Sequence, residues 1–311
     1  MTGGSVPPRT SLRERLASGA FVVTAELGPP AEPSAEQVRA AARALAGATH
    51  AANVTDNQAA TVKLSPLASA IVMLEEGLEP ILQLTGRDRN LLALQSDLLG
   101  ASAMGVRTVL ALSGDPLKVG PYGQLATRVG DVDSLGLAKL IAGMNAGVMH
   151  AGERLATPTT FLIAGAANPL IDTPERLETK LGAGVSLLQT NIVYDAERFA
   201  QWLAPIVDAG ITERAPLLVG VTPPRSTRML RHLHDRIPGV EVDEGTFSRM
   251  DGLEGDAAKR EGIRVASDVI NSVREIEGVA GVHIMAPGWE IEAVPLVVHA
   301  AGLMNGASVR Y

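Results

Sequence analysis

Short apolar runs and helix-period stripes alternate along the chain from one end to the other. The first run, FVVTAEL at 21–27, is rich in β-branched residues and stops at Gly28-Pro29-Pro30, which predicts a strand. Runs of the same kind recur at 50–55, 79–84, 107–112, 159–164, 185–190, 216–221 and 279–286. Between them the apolar spacing changes to three and four. The segment 34–46 opens on Ser34 as a cap with Glu36 near its start, and 89–104 carries Leu91, Leu94, Leu98 and Ala101 on one stripe before Gly105. Helices are likewise predicted over 67–74, 137–144, 174–183, 199–207, 225–234 and 263–273, and from near Trp289 onward.

Eight strands alternating with helices, with no second compositional region and no internal repeat, favour an α/β fold of the closed (β/α)8 type. One barrel domain is expected over 21–311, with 1–20 as a flexible, polar N-terminal arm. The stretch 115–132 is rich in Gly and Pro without periodicity, and compact domains spend such length chiefly on function.

Composition narrows the function. A chain of 311 residues exceeds the single-domain prior of about 150, but α/β barrels commonly run to about 250 residues as one unit. With 46% hydrophobic residues but only 3% aromatic, the core must be built from Ala, Leu, Val and Ile. A net charge of -7 without a dense basic run argues against nucleic-acid and anionic-membrane partners. The absence of cysteine excludes a disulfide framework, a thiolate nucleophile and thiolate-bound zinc. No apolar leader stands in 1–20 and no run reaches membrane-spanning length, so a cytoplasmic protein is expected.

In such a barrel, polar residues at the C-terminal ends of strands converge on one mouth. Here they are Glu26, Thr55, Asp56, Gln83, Thr85, Asp115, Asn168, Gln189 and His283. Each has a bland alternative: Glu26 as the partner of an arginine, Gln189 as a satisfied core amide, His283 as a packed strand residue. Glu26 and Asp115 together allow one carboxyl to be kept protonated by burial and the other ionised. The six histidines show no metal-ligand spacing. No G-x-G-x-x-G or Walker A sequence is present, so a cofactor phosphate would rely on helix N-termini and scattered basic residues.

Six short motifs run in order along the chain: TAELGPP at 24–30, NVT at 53–55, LTGRDRN at 84–90, ALQSDLLGA at 93–101, ALSGDP at 111–116 and HIMAP at 283–287. Through them the region from about 21 to 303 resembles the methylenetetrahydrofolate reductase family, in particular the reductase half of bifunctional homocysteine methyltransferase-reductase proteins. The resemblance implies a (β/α)8 barrel that uses FAD, reduced by NAD(P)H, to convert 5,10-methylenetetrahydrofolate into 5-methyltetrahydrofolate by ping-pong kinetics. It implies Glu26 as the general acid of ring opening, Asp115 as the carboxylate between flavin and pterin, and Gln189 as a folate contact. Thr55, Gln83, Gly114, Asn168 and Lys180 match positions around the flavin. The implied partners are folate and nicotinamide small molecules, with a homo-oligomer or a one-carbon complex partner left open. The residues also allow a flavin-independent NADH-linked reductase, a folate-binding methyltransferase, or a non-catalytic subunit.

Overall fold

The computed structural model describes residues 10–303. Eight parallel strands follow one another around a closed barrel: β1 (Val22–Leu27), β2 (Ala51–Val54), β3 (Glu79–Thr85), β4 (Thr108–Leu112), β5 (Leu162–Ala167), β6 (Leu187–Ile192), β7 (Leu217–Val221) and β8 (Val279–Ile284). Closure runs through β8 and β1, in register from Val22 opposite Gly281 to Ala25 opposite Ile284. The helices are α1 (Leu12–Ala17), α2 (Ala35–Ala46), α3 (Pro66–Glu75), α4 (Leu91–Ala103), α5 (Ser134–Asn145), α6 (Pro174–Gly182), α7 (Ala196–Asp208), α8 (Ile211–Arg214), α9 (Thr227–Arg236), α10 (Glu244–Met250), α11 (Gly255–Val273) and α12 (Glu290–Ala300). This is the (β/α)8 barrel that the alternating pattern predicts.

Alternation along each strand divides the core in two. Outward residues such as Val23, Ala25 and Leu27 pack against Val38, Ala42 and Leu45 of α2 and Val294 and Val297 of α12. Inward residues at the N-terminal end of the barrel form a separate apolar layer of Val22, Ala51, Ile81, Leu110, Leu162, Leu187 and Leu218. Polar caps start the helices: Ser34, Asn90, Asp133 and Asp195 each accept a backbone N–H from the first turn.

The structure departs from the sequence reading in a few places. Residues 1–9 of the expected arm lie outside the described residues, but Leu12–Ala17 is helical and Leu12 is fully buried in the bottom layer. A capping box between Ser11 and Glu14 starts this helix, and the Leu12 N–H donates to Glu79 Oε2 at 2.8 Å. Two turns are too short to show a helical period. Strand β5 starts at Leu162 rather than 159, because Asn145 at the end of α5 holds Thr159 and both backbone groups of Phe161. Helix α11 begins at Gly255, ahead of its first apolar stripe position, Ile263. Helix α10, capped by Asp243, buries Met250 with Tyr194, Leu230, Val242 and Val265 in a satellite core beside β6 and β7.

Candidate active site

Above the apolar bottom layer the barrel interior turns polar. Thr24, Asn53, Gln189 and His283 are all buried there. Asn53 Nδ2 donates to Gln189 Oε1 at 2.8 Å, and Gln189 Nε2 donates back to Asn53 Oδ1 at 3.2 Å. His283 Nδ1 lies 2.9 Å from Thr24 Oγ1, and its Nε2 lies 3.4 Å from Asn53 Nδ2. Burial pushes the His283 imidazole down to about 3, so it is neutral at ordinary pH.

Glu26 stands two residues beyond Thr24 on the same face of β1 and is the register partner of Asn53. It is only 8% exposed, and among the described residues no arginine or lysine contributes to its electrostatics. Its carboxylate instead accepts the Gln58 amide at 3.2 Å and lies beside Gln83. Burial is the main reason its pKa rises to about 7. The carboxylates of Glu290 and Asp115 push the same way, and the Gln58 and Gln83 hydrogen bonds oppose them.

Asp115 sits exposed in the loop after β4, and its Oδ2 accepts the Ala59 N–H at 2.7 Å. Gly114 before it has φ +83, and a Cβ there would lie 2.9 Å from Arg87 Cβ and 3.1 Å from Thr85 Cβ. Both the backbone conformation and the space therefore demand glycine. The loop after β2 is strained as well: Asn57, Ala59 and Ala60 have φ of 45, 54 and 51. Left-handed conformations cost a residue with a Cβ about 1 kcal/mol or more each, so surrounding contacts must hold them. Asn57 Oδ1 accepts the Lys63 N–H at 2.9 Å, Asp115 holds Ala59, and Gly120 lies so close that its Cβ would fall 2.3 Å from the Ala60 carbonyl oxygen. This clamped loop delivers Gln58 to Glu26.

The remaining expected residues are spread around the rim. Thr55 is buried, and Asp56 next to it binds Arg89 at 2.6 Å and the Thr85 N–H at 2.9 Å, which ties the loops after β2 and β3 together. Asn168, after β5, accepts the Leu170 N–H with its own side chain. Lys180 of α6 donates to the Ala166 carbonyl at 2.8 Å and to Asp172 at 2.6 Å. It also lines a cavity of about 250 Å³ with Ala111, Ser113, Ser134, Gly165 and Ala166. Glu26, Gln83 and Asp115 thus meet in one cluster, Gln189 joins Asn53 in the interior, and Asn168 and Lys180 stand on the β5–α6 side. Sequence reasoning did not find Gln58 or Glu290. Only the turn chemistry of Asp56-Asn57-Gln58 signalled the first, and nothing local signalled the second.

A carboxyl that titrates near neutrality beside an exposed carboxylate suits proton donation to a ligand held by paired hydrogen bonds. A family model for methylenetetrahydrofolate reductase matches residues 11–302. The chain belongs to the methylenetetrahydrofolate reductase family. Among solved structures, this reductase-family chain is similar to an uncharacterized protein from Clostridium thermocellum described as binding two copies of 5-methyl-5,6,7,8-tetrahydrofolic acid. The TM-score is 0.69 at 15% identity, over 94% of this chain and 100% of that one, a likeness of fold. Tryptophan synthase from M. tuberculosis (TM-score 0.46, 10% identity, 93% of this chain and 95% of that one) and 2,3-dimethylmalate lyase (0.48, 12%, 90% and 80%) are more distant and add nothing to the assignment. A search of curated proteins gives no match. No helix among the described residues of this family member is long and apolar enough to cross a membrane.

Proposed function

We propose that this family member reduces 5,10-methylenetetrahydrofolate to 5-methyltetrahydrofolate, with NAD(P)H as reductant and FAD as carrier. The observation that carries the reading is Glu26, a buried barrel-mouth carboxyl raised to about 7 with no cationic partner among the described residues. Opening the imidazolidine ring needs a proton on the departing nitrogen N10, and a carboxyl with this pKa supplies one at neutral pH. Loss of N10 leaves the methylene carbon as an iminium on N5, ready to accept hydride. Asp115, exposed in the loop after β4, is suited to accept the neighbouring N–H and amino donors of the pterin, replacing the bond it makes to Ala59. Gln189 offers the folate one remaining N–H and one remaining carbonyl lone pair.

The donor set fits a flavin dinucleotide. Lys180 spends two of its three donors on Ala166 and Asp172 and keeps one, beside a cavity lined by small residues together with Leu112, Leu135 and Val185. Lys180 and Asn168 would hold the phosphate side, and Thr55, Gln83 and Gly114 the ring side. Bound FAD would supply hydride transfer between the nicotinamide and the folate. The neighbour from Clostridium thermocellum is described with the expected product of this reaction, which agrees with the reading.

The test is to incubate FAD-reconstituted protein anaerobically with NADH and 5,10-methylenetetrahydrofolate and to quantify 5-methyltetrahydrofolate by chromatography. Product that depends on FAD, with parallel double-reciprocal plots, is expected. Intersecting plots from a flavin-free protein would contradict the FAD assignment, and no product would contradict the reductase.

A further inference from the structure

Gln189 can meet a ligand in two ways, since rotating its amide by half a turn exchanges donor and acceptor. Its pairing with Asn53 does not choose between them. If both amides rotate together, both hydrogen bonds survive with their roles reversed. A third partner has to break the symmetry, and His283 lies on the far side of Asn53.

The choice propagates from the backbone. The Thr24 hydroxyl donates to the Val282 carbonyl at 3.3 Å, so its oxygen is left to accept from His283 Nδ1 at 2.9 Å. A neutral imidazole that donates from Nδ1 has a bare Nε2, and that atom faces Asn53 Nδ2 at 3.4 Å. Asn53 therefore turns its amino group toward both His283 and Gln189 Oε1, and its carbonyl toward Gln189 Nε2. All four side chains are buried, so water does not compete for these bonds.

We infer that Asn53 and His283 are positioning residues that fix the orientation of the Gln189 amide, and so decide which donor and acceptor it presents to a pterin edge. The inference rests on the folate reading above. Neither residue touches the ligand in this account; both act through Gln189.

The test has two arms. In the first, binding of 5-methyltetrahydrofolate to the full chain is measured by calorimetry for wild type, Asn53→Ala, Gln189→Ala and the double variant. Each single change is expected to weaken binding about tenfold, the worth of one ligand hydrogen bond, and the double variant to be no weaker than Gln189→Ala alone. An additive loss of about a hundredfold would overturn the inference while leaving the folate reading intact. No binding by wild type would overturn the folate reading and this inference with it. In the second arm, which needs neither ligand nor a folded Asn53 variant, imidazole ¹⁵N shifts are recorded on wild type and assigned by loss of the signal in His283→Asn. A neutral Nδ1–H tautomer is expected. An Nε2–H tautomer would overturn the inference.

Discussion

A glutamate serves as an acid at neutral pH only if its surroundings make the charged form costly, and at Glu26 burial does most of this. The stability consequence has a definite sign. Because the folded-state pKa is raised from 4.5 to about 7, Glu26 is no burden below about pH 4.5, where it is protonated in both states. Above that the unfolded chain ionises first and stability falls until pH passes 7, by roughly 3 kcal/mol for a shift of this size. Glu26→Gln, which cannot ionise, should therefore melt at a higher temperature than wild type at pH 8 and near wild type at pH 4.5; equal melting shifts at both would contradict a raised pKa. Glu290→Gln removes the nearby carboxylate that ranks next to burial in raising Glu26. The alkaline limb of the folate-reduction profile should then move to lower pH, measured as initial rates from pH 6 to 9. An unmoved limb would separate Glu290 from the acid.

At the scale of elements, the strained loop after β2 and the short helix at the barrel bottom carry the next predictions. Gly120→Ala would drive a Cβ into the carbonyl oxygens of Ala60 and Ala59, which stand 2.3 and 2.6 Å from its position, and so loosen the loop that sets Gln58 on Glu26. Folate turnover should drop severalfold with little change in melting temperature, and unchanged turnover would show that the clamp is dispensable. Leu12→Ala should cost about 2–5 kcal/mol in denaturant unfolding, because the side chain is fully buried against Val22, Ile81 and Leu218. A loss below 1 kcal/mol, about that of a surface site, would contradict its place in the core. These two elements also mark the limit of sequence reading. All eight strands were legible because each is an apolar run of the expected length bounded by turn residues. Helix α1 was not, since its stability comes from one capping box and one leucine inserted into a distant layer. Helix α10 was hidden in the same way, its apolar residues facing a satellite core assembled from β6, α9 and α11.

Across the whole molecule, the barrel turns a scattered set of residues into a site. Glu26, Gln83 and Asp115 lie on three different strands or their loops, and only closure of the sheet gathers them. Their strand-end positions were legible, and that sufficed to nominate them. The full balance behind the raised pKa of Glu26 was not, because besides burial it includes Gln58, which opposes the rise, and Glu290, which adds to it; they reach the cluster from a loop of unusual conformation and from the start of α12. The central proposal, that Glu26 is the proton donor for folate reduction, predicts that its loss affects folate reduction and spares flavin reduction. FAD-reconstituted wild type and Glu26→Gln can be mixed anaerobically with NADH and then with 5,10-methylenetetrahydrofolate while the visible flavin spectrum is followed. Both proteins should bleach at similar rates, and only wild type should regain colour promptly, with Glu26→Gln slowed by about 10²–10⁴-fold, the usual worth of a general acid. Recovery of colour by Glu26→Gln at the wild-type rate would contradict the account.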